Sequence, residues 1–158
     1  MKAYLAPWSP QLLSILRIIT GFLFVAHGTQ KWLGFPVPSP NPVTLSSLSG
    51  IAGALELAGG ILILVGLGTR PVAFVLSGLM AFAYFIAHAP QGFWPIVNHG
   101  ELAALYSFVF LYFAAAGAGP WSLDHALRER QDDAFRRADR SAEPRDQDPA
   151  PAAARRAL

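Results

Sequence analysis

Four long apolar segments constrain the fold of this chain more than any other feature of its sequence. They lie near residues 11–33, 46–68, 71–89 and 100–117. A helix needs about 20 mostly apolar residues to cross a bilayer. Because backbone N–H and C=O groups find no water in hydrocarbon, such segments satisfy those groups internally by forming helices. We therefore predict an all-α membrane protein that is a bundle of four transmembrane helices.

The distribution of charge divides the chain into two parts. Residues 1–125 contain four basic and three acidic residues, whereas residues 126–158 contain eight arginines and seven acidic residues. We predict that 1–125 forms the membrane bundle and that 126–158 is a cytoplasmic tail. The start of the tail has a thin apolar stripe that suits a short helix on the membrane surface. From about Ser141 the tail is rich in proline, alanine and charge, which is typical of disorder.

The basic residues also predict the orientation. Lys2, Arg70 and the arginine-rich tail fall on one side of the four predicted spans. Lysine and arginine next to membrane helices favour the cytoplasmic side. We therefore predict that both termini are cytoplasmic and that the loops at 34–45 and 90–99 face outward. The basic residues of the tail alternate with acids, so we predict no nucleic-acid partner.

Two ionisable residues lie deep within the predicted spans. Such groups cost about 2.5–3.5 kcal/mol each and persist when they are paired or functional. At a rise of about 1.5 Å per residue, Arg17 and Glu56 lie within about one to two helical turns of the same depth. We predict a buried ion pair between them. A ligand-contacting role for Glu56 is compatible with that pair, and Lys31 or His88 is the next candidate for its partner.

Further polar residues gather at the outer end of the predicted bundle. His27 and Lys31 lie near the end of the first span, His88 near the end of the third, and His99 and Glu101 at the start of the fourth. Hydrogen-bond donors and acceptors in such a place suit a small polar ligand or a quinone headgroup. The histidines and Glu101 could also bind a metal. However, no pair of them has the i, i+4 spacing of a zinc-binding helix, and Lys31 would repel a cation. We predict no metal site.

Glycines in the first two spans predict close contact between those helices. Small residues let the backbones of membrane helices approach each other. The glycines concerned are Gly21 and Gly28 in the first span, and Gly50, Gly53, Gly59 and Gly60 in the second.

Three stretches of the sequence resemble the DoxX family of small bacterial membrane proteins. LRIITGFLFVAHGTQKWLGF resembles its first helix, with an arginine, a glycine and then HGxxK. LELAGGILILVGLGTRPVA resembles its second helix, with Glu-x-x-Gly-Gly before Gly-x-x-Thr-Arg. The stretch from HAPQGFWPIVNHGE to GAGPWSLD resembles the later motifs Asn-x-Gly-Glu and Gly-x-Gly-x-x-Ser-Leu-Asp. The resemblance covers about residues 10–125.

The resemblance implies a four-helix, multi-pass protein of the bacterial cytoplasmic (inner) membrane. The family name is shared by a subunit of a thiosulfate:quinone oxidoreductase and by mycobacterial proteins linked to a membrane-associated oxidoreductase complex. It implies no catalytic residue. The positions that match the family motifs are Arg17, His27, Lys31, Glu56, Arg70, His88, Asn98 and Glu101. We take all of them except Arg70 as candidate ligand-binding residues.

The chain contains no cysteine and no haem or flavin motif. A partner would therefore have to supply the redox centre of any electron transfer. We predict an accessory subunit or scaffold of a membrane-associated oxidoreductase system that binds quinone or a small polar ligand. It would contact membrane lipid, and a protein partner through the bundle or the C-terminal tail. The alternative is a transporter or binding protein for lipid or another small molecule, although four helices without an inverted repeat are few for alternating access.

Overall fold

The computed structural model describes residues 4–39, 43–44 and 46–142, and every regular element within them is helical. The chain divides into two compact units, Met1–Ala126 and Leu127–Leu158. The α-helices are α1 (Ser9–Leu33), α2 (Leu48–Val65), α3 (Thr69–Ala83), α4 (Glu101–Ala116) and α5 (Leu123–Ala142). A π-helical turn, Tyr84–His88, and a 3-10 turn, Ala89–Gln91, continue α3.

Length and composition identify the helices that could cross a membrane. Within the described residues, the three stretches Ala6–Leu33, Leu48–Val65 and Thr69–Gln91 are long and apolar enough. Helix α4 is also apolar but has 16 residues. The prediction of an all-α membrane protein is therefore confirmed, whereas the count of four spans and their orientation stay predictions. The tail is helical as far as Ala142, and the predicted disorder beyond it lies outside the described residues.

Glycines bring α1 and α2 into close backbone contact, as predicted. A Cβ atom on Gly21 would lie 2.6 Å from the backbone N of Leu64, and one on Gly28 would lie 2.6 Å from that of Leu57. From the α2 side, a Cβ on Gly60 would approach α1 to 2.8 Å. These contacts fix the antiparallel register of the two helices, because no side chain at these positions would fit between the backbones.

An aromatic cluster joins this helix pair to α4. Phe24 of α1 is buried, and its ring meets those of Phe110 at 4.8 Å and Tyr106 at 5.5 Å, edge to face in both cases. Buried Leu76 of α3 packs against Gly59 of α2, so the same core includes all four helices. Edge-to-face contacts between aromatic rings stabilise the fold beyond the free energy gained by burying the rings.

Arg17 is fully buried, and backbone carbonyls surround its guanidinium group. Nε donates to the carbonyl of Ala118 at 2.8 Å, and Nη1 donates to those of Ile63 at 2.5 Å and Leu64 at 2.7 Å. Nη2 donates to the carbonyl of Trp121. One side chain of α1 thereby holds the last turn of α2 and the segment that follows α4. The carbonyl end of a helix carries partial negative charge, which favours a cation there.

The predicted Arg17–Glu56 ion pair is wrong. The contacts at Gly21 and Gly28 set a register in which Arg17 lies beside the end of α2, where a Cβ on Gly66 would be 3.0 Å from Cζ of Arg17. Glu56 lies further along α2 and pairs instead with Lys31, at 2.6 Å. The error arose because each depth was estimated from the approximate ends of a span, whereas the observed register puts Arg17 and Glu56 at different depths.

Two more charged residues cap helix ends on the same side of the bundle as Arg17. Asp124 accepts hydrogen bonds from the backbone N–H groups of Gly68 at 2.7 Å and Thr69 at 2.9 Å, where α3 begins. Arg70 donates to the carbonyls of Ala114 at 3.0 Å and Ala115 at 2.5 Å, where α4 ends. Both charges complement the helix dipoles. These contacts give the Thr-Arg and Ser-Leu-Asp motifs a structural role.

Gly21→Ala should lower the thermal stability of the protein, because the new methyl group would press on the backbone of α2. Overpacking of this kind typically costs about 1–3 kcal/mol. Gly78→Ala is the matched control, since a Cβ at Gly78 in α3 meets nothing within 4 Å. It should preserve or slightly raise stability, as alanine favours helix over glycine. Thermal unfolding in detergent measures both variants, and equal melting temperatures would contradict the close approach.

Candidate ligand site

A cavity of about 350 Å³ lies between the four helices, toward the end of the bundle where α1 ends and α4 begins. Its wall combines apolar side chains with a lysine, a glutamate and three histidines. The lining residues are Phe24, His27 and Lys31 from α1, Glu56 from α2, Met80, Ala83, Ala87 and His88 from α3 and its continuation, and His99, Leu102, Ala103 and Tyr106 from α4 and the residues before it.

Four of the seven candidate residues line this cavity, namely His27, Lys31, Glu56 and His88. The other three lie elsewhere. Arg17 is beside the last turn of α2, and Asn98 is buried within the turn that precedes α4. Glu101 is exposed in the first turn of α4. The family motifs therefore mix residues that line the cavity with residues that hold the helices together.

The ion pair between Lys31 and Glu56 is the charged centre of the cavity wall. Nζ of Lys31 lies 2.6 Å from Oε1 of Glu56. Glu56 is 5% exposed, and the side chain of Lys31 is 25% exposed. Gly53 leaves room for the lysine, since a Cβ there would lie 3.1 Å from Cβ and Cδ of Lys31. The second carboxylate oxygen of Glu56, Oε2, is buried and has no hydrogen-bond partner among the described residues.

Lys31 occupies this position for two reasons. It lies in the last turn of α1, where the negative end of the helix dipole favours a cation. The glycine contact between Gly28 and Leu57 also sets that turn beside Glu56. Removing either charge would leave the other one poorly solvated, so the two residues should be energetically coupled.

The π-helical turn places His88 at the cavity. Such turns widen a helix by one residue and often occur at functional sites. Nδ1 of His88 lies 3.0 Å from the backbone oxygen of Asn98. Because a carbonyl oxygen only accepts, Nδ1 must carry the hydrogen of this bond, and Nε2 of a neutral ring is then an acceptor. His88 is thus oriented by the loop that it contacts.

Asn98 organises the turn that leads into α4. Its Nδ2 donates to the carbonyl of Gly92 at 2.7 Å, and its Oδ1 accepts from the N–H of Gly100 at 2.8 Å. A Cβ on Gly100 would lie 2.7 Å both from that Oδ1 and from the ring of Tyr84. The Asn-x-Gly motif is therefore explained by hydrogen bonding and space in the turn.

His99 is the variable residue of that motif, and the structure adds it to the cavity lining. Its φ of 57° lies in the left-handed region, where histidine occurs more often than most other residues. His99 was placed in the outer polar group by its position but is absent from the candidate set, because it does not match the family motif. Sequence reasoning also did not select Tyr106, which lines the cavity beside Phe24. Only the tight turn signalled by Asn-x-Gly could have indicated that His99 has an unusual orientation.

The cavity differs from a metal centre in its chemistry. Within the described ranges, no three histidine or acidic side chains lie close enough together to hold a metal ion. The ammonium group of Lys31 would also repel a cation bound at Glu56. The mixture of aromatic, aliphatic and hydrogen-bonding groups is typical of sites for small organic molecules.

A double-mutant cycle can test which charged residues interact. Lys31→Gln and Glu56→Gln should each lower the free energy of unfolding by about 1–3 kcal/mol, and the double variant should lose less than their sum. Arg17→Gln combined with Glu56→Gln is the matched control. Those two losses should add to within about 0.5 kcal/mol, since the residues share no contact. Coupling in the Arg17 cycle, or additivity in the Lys31 cycle, would contradict the observed pairing.

Three bacterial proteins are similar to this chain over most of its length. An uncharacterized protein of Haemophilus influenzae is 45% identical over 126 residues, which cover 77% of this chain and 94% of that protein. An uncharacterized membrane protein of Mycobacterium tuberculosis is 27% identical over a region that covers 77% of this chain and 84% of that protein. A Bacillus subtilis protein named "Putative oxidoreductase CatD" is 30% identical over a region that covers 70% of this chain and 82% of that protein. No solved structure matches the chain.

The DoxX family model matches residues 12–89, which include most of α1, all of α2 and α3, and the π-helical turn. The match includes four cavity residues of the sequence-based candidate set, His27, Lys31, Glu56 and His88. The chain belongs to the DoxX family.

Proposed function

We propose that this protein is the quinone-binding membrane subunit of an oxidoreductase system, and that the cavity between the four helices is its quinone site. The observation that carries the proposal is a cavity in an apolar helical unit whose wall joins the Lys31–Glu56 pair to an aromatic surface. Its volume of about 350 Å³ falls within the usual range for sites of small organic ligands.

A quinone headgroup is complementary to this wall. Its flat ring would pack against Phe24, Met80 and Tyr106, which all line the cavity. Its carbonyl oxygens need hydrogen-bond donors, and the ammonium group of Lys31 carries three, of which one is given to Glu56. His27 lines the cavity and is also exposed, so it lies at the rim. Its ring N–H would be a further hydrogen-bond donor to a quinone oxygen.

The electrons would come from a partner protein. The chain has no cysteine, so no thiol relay can operate within it. The oxidoreductase name of the Bacillus subtilis relative supports a role beside a redox enzyme. In this proposal the chain binds and orients the quinone in the membrane, and the partner carries the redox centre. The charged tail after the bundle is the surface that we assign to that partner.

The proposal includes four spans, with both termini in the cytoplasm of a bacterial cell and the chain in its inner membrane. Helix α4 would be the fourth span, since its 16 residues extend about 24 Å and its flanking residues can reach the interfaces. Arg70 and the arginines of α5 then lie on the inner side, in agreement with the preference of basic residues. The cavity would lie in the outer half of the bundle.

Single cysteines can test this topology cleanly, because the chain has none of its own. Ser39→Cys, Phe93→Cys and Asp133→Cys should be examined in intact cells with a membrane-impermeant maleimide. The first two should react from outside, and Asp133→Cys should react only after the cells are permeabilised. Equal labelling of Phe93→Cys and Asp133→Cys would contradict a membrane-spanning α4.

Quinone binding can be tested with a short-chain benzoquinone and the purified protein in lipid nanodiscs. Ala87→Phe should weaken the affinity at least about tenfold, because the added ring would occupy space in the cavity that Ala87 lines. Ala54→Phe is the matched control, an exposed alanine of α2 outside the lining, and should bind like the wild type. Isothermal titration calorimetry gives both constants. No binding by the wild type, or equal binding by Ala87→Phe, would overturn the proposal.

A further inference from the structure

Glu56 has one carboxylate oxygen that takes part in no hydrogen bond within the described residues. The residue is 5% exposed and lines the cavity wall. Its Oε1 is taken by Lys31, whereas its buried Oε2 accepts no hydrogen bond from any residue that the structure describes. An ion pair with Lys31 requires Glu56 to be a carboxylate, and a carboxylate can only accept hydrogen bonds. A group that enters the cavity and covers Oε2 therefore has to donate one.

The two oxidation states of a quinone differ in this respect. The oxidised form has two carbonyl oxygens, which are hydrogen-bond acceptors. They cannot donate to Oε2, and their lone pairs would repel those of the carboxylate. The reduced form, the quinol, has two hydroxyl groups, each of which both donates and accepts. A site built to hydrogen-bond a hydroxyl group strongly rejects an analogue that lacks it, since its own polar group is then left unpaired.

We propose that the cavity selects the hydroxylated, reduced form of its aromatic ligand, and that Glu56 is the residue that determines this selectivity. The inference deepens the proposed quinone site and rests on it. A ring hydroxyl can donate to Oε2 of Glu56 while its oxygen accepts from Nζ of Lys31, because the ion pair holds an acceptor and a donor side by side. The ring packs on Phe24 and Tyr106, which contact each other edge to face at 5.5 Å.

Selective binding of the quinol has a consequence for electron transfer. Binding the reduced form more tightly than the oxidised form raises the reduction potential of the bound couple. For two electrons, each tenfold ratio of dissociation constants corresponds to about 30 mV. A quinone in this cavity would thus be a stronger oxidant than the same quinone in the lipid, which favours the uptake of electrons from the partner protein.

The test compares a decyl-substituted benzoquinol with its benzoquinone, under anaerobic conditions, on the full-length protein in nanodiscs. The wild type should bind the quinol at least about tenfold more tightly than the quinone. Glu56→Gln replaces one acceptor oxygen with an amide donor, so the preference should fall to about one or reverse. Glu101→Gln is the matched control, the same substitution at an exposed carboxylate of α4 outside the lining, and should keep the wild-type ratio.

If Glu56→Gln does not fold, the ratio of the two dissociation constants of the wild type still decides whether the cavity selects the reduced form. Equal affinity of the wild type for the two forms, or tighter binding of the quinone, would overturn the selectivity while leaving the quinone site in place. A preference for quinol that persists unchanged in a folded Glu56→Gln protein would overturn the role of Glu56. Failure of the wild type to bind either form would overturn the proposed function itself.

Discussion

The buried guanidinium group of Arg17 is the interaction on which the rest of this structure depends. From α1 it donates hydrogen bonds to the last turn of α2 and to the segment after α4, so that three parts of the chain meet at one side chain. A buried charge is tolerated only when polar groups surround it, and here carbonyls at the negative end of α2 do so.

The two ends of the bundle consequently differ. At the Arg17 end, Asp124 caps α3 and Arg70 caps α4, and the polar groups of the helix termini are used within the protein. At the other end the Lys31–Glu56 pair uses only one carboxylate oxygen, and the histidines surround a cavity. Charged residues of similar type therefore hold the fold together at one end and, among the residues that the structure describes, leave an unused hydrogen-bond acceptor at the other.

Several features of the site follow from the local sequence. The apolar segments predicted the helices, and the glycines predicted the close approach of α1 and α2. The gathering of His27, Lys31 and His88 could be predicted, because their positions near helix ends place them at similar depth. Glu56 lies in the middle of α2 and was assigned to Arg17 instead. Asn98 and Glu101 could not be separated from that group by sequence, since a motif does not distinguish a residue that shapes a turn from one that lines a cavity.

The sequence by itself determined that this protein is helical, belongs in a membrane and gathers several polar residues near one end of its helices. The choice of partners was decided only by the tertiary structure. The sequence placed the opposite charges of Arg17 and Glu56 at similar depth, yet backbone contacts at Gly21 and Gly28 set a register that separates them. Arg17 then binds carbonyl oxygens, which every residue possesses and which leave no mark in the sequence. Helix register depends on contacts across the whole interface, and one residue's depth and charge cannot specify it.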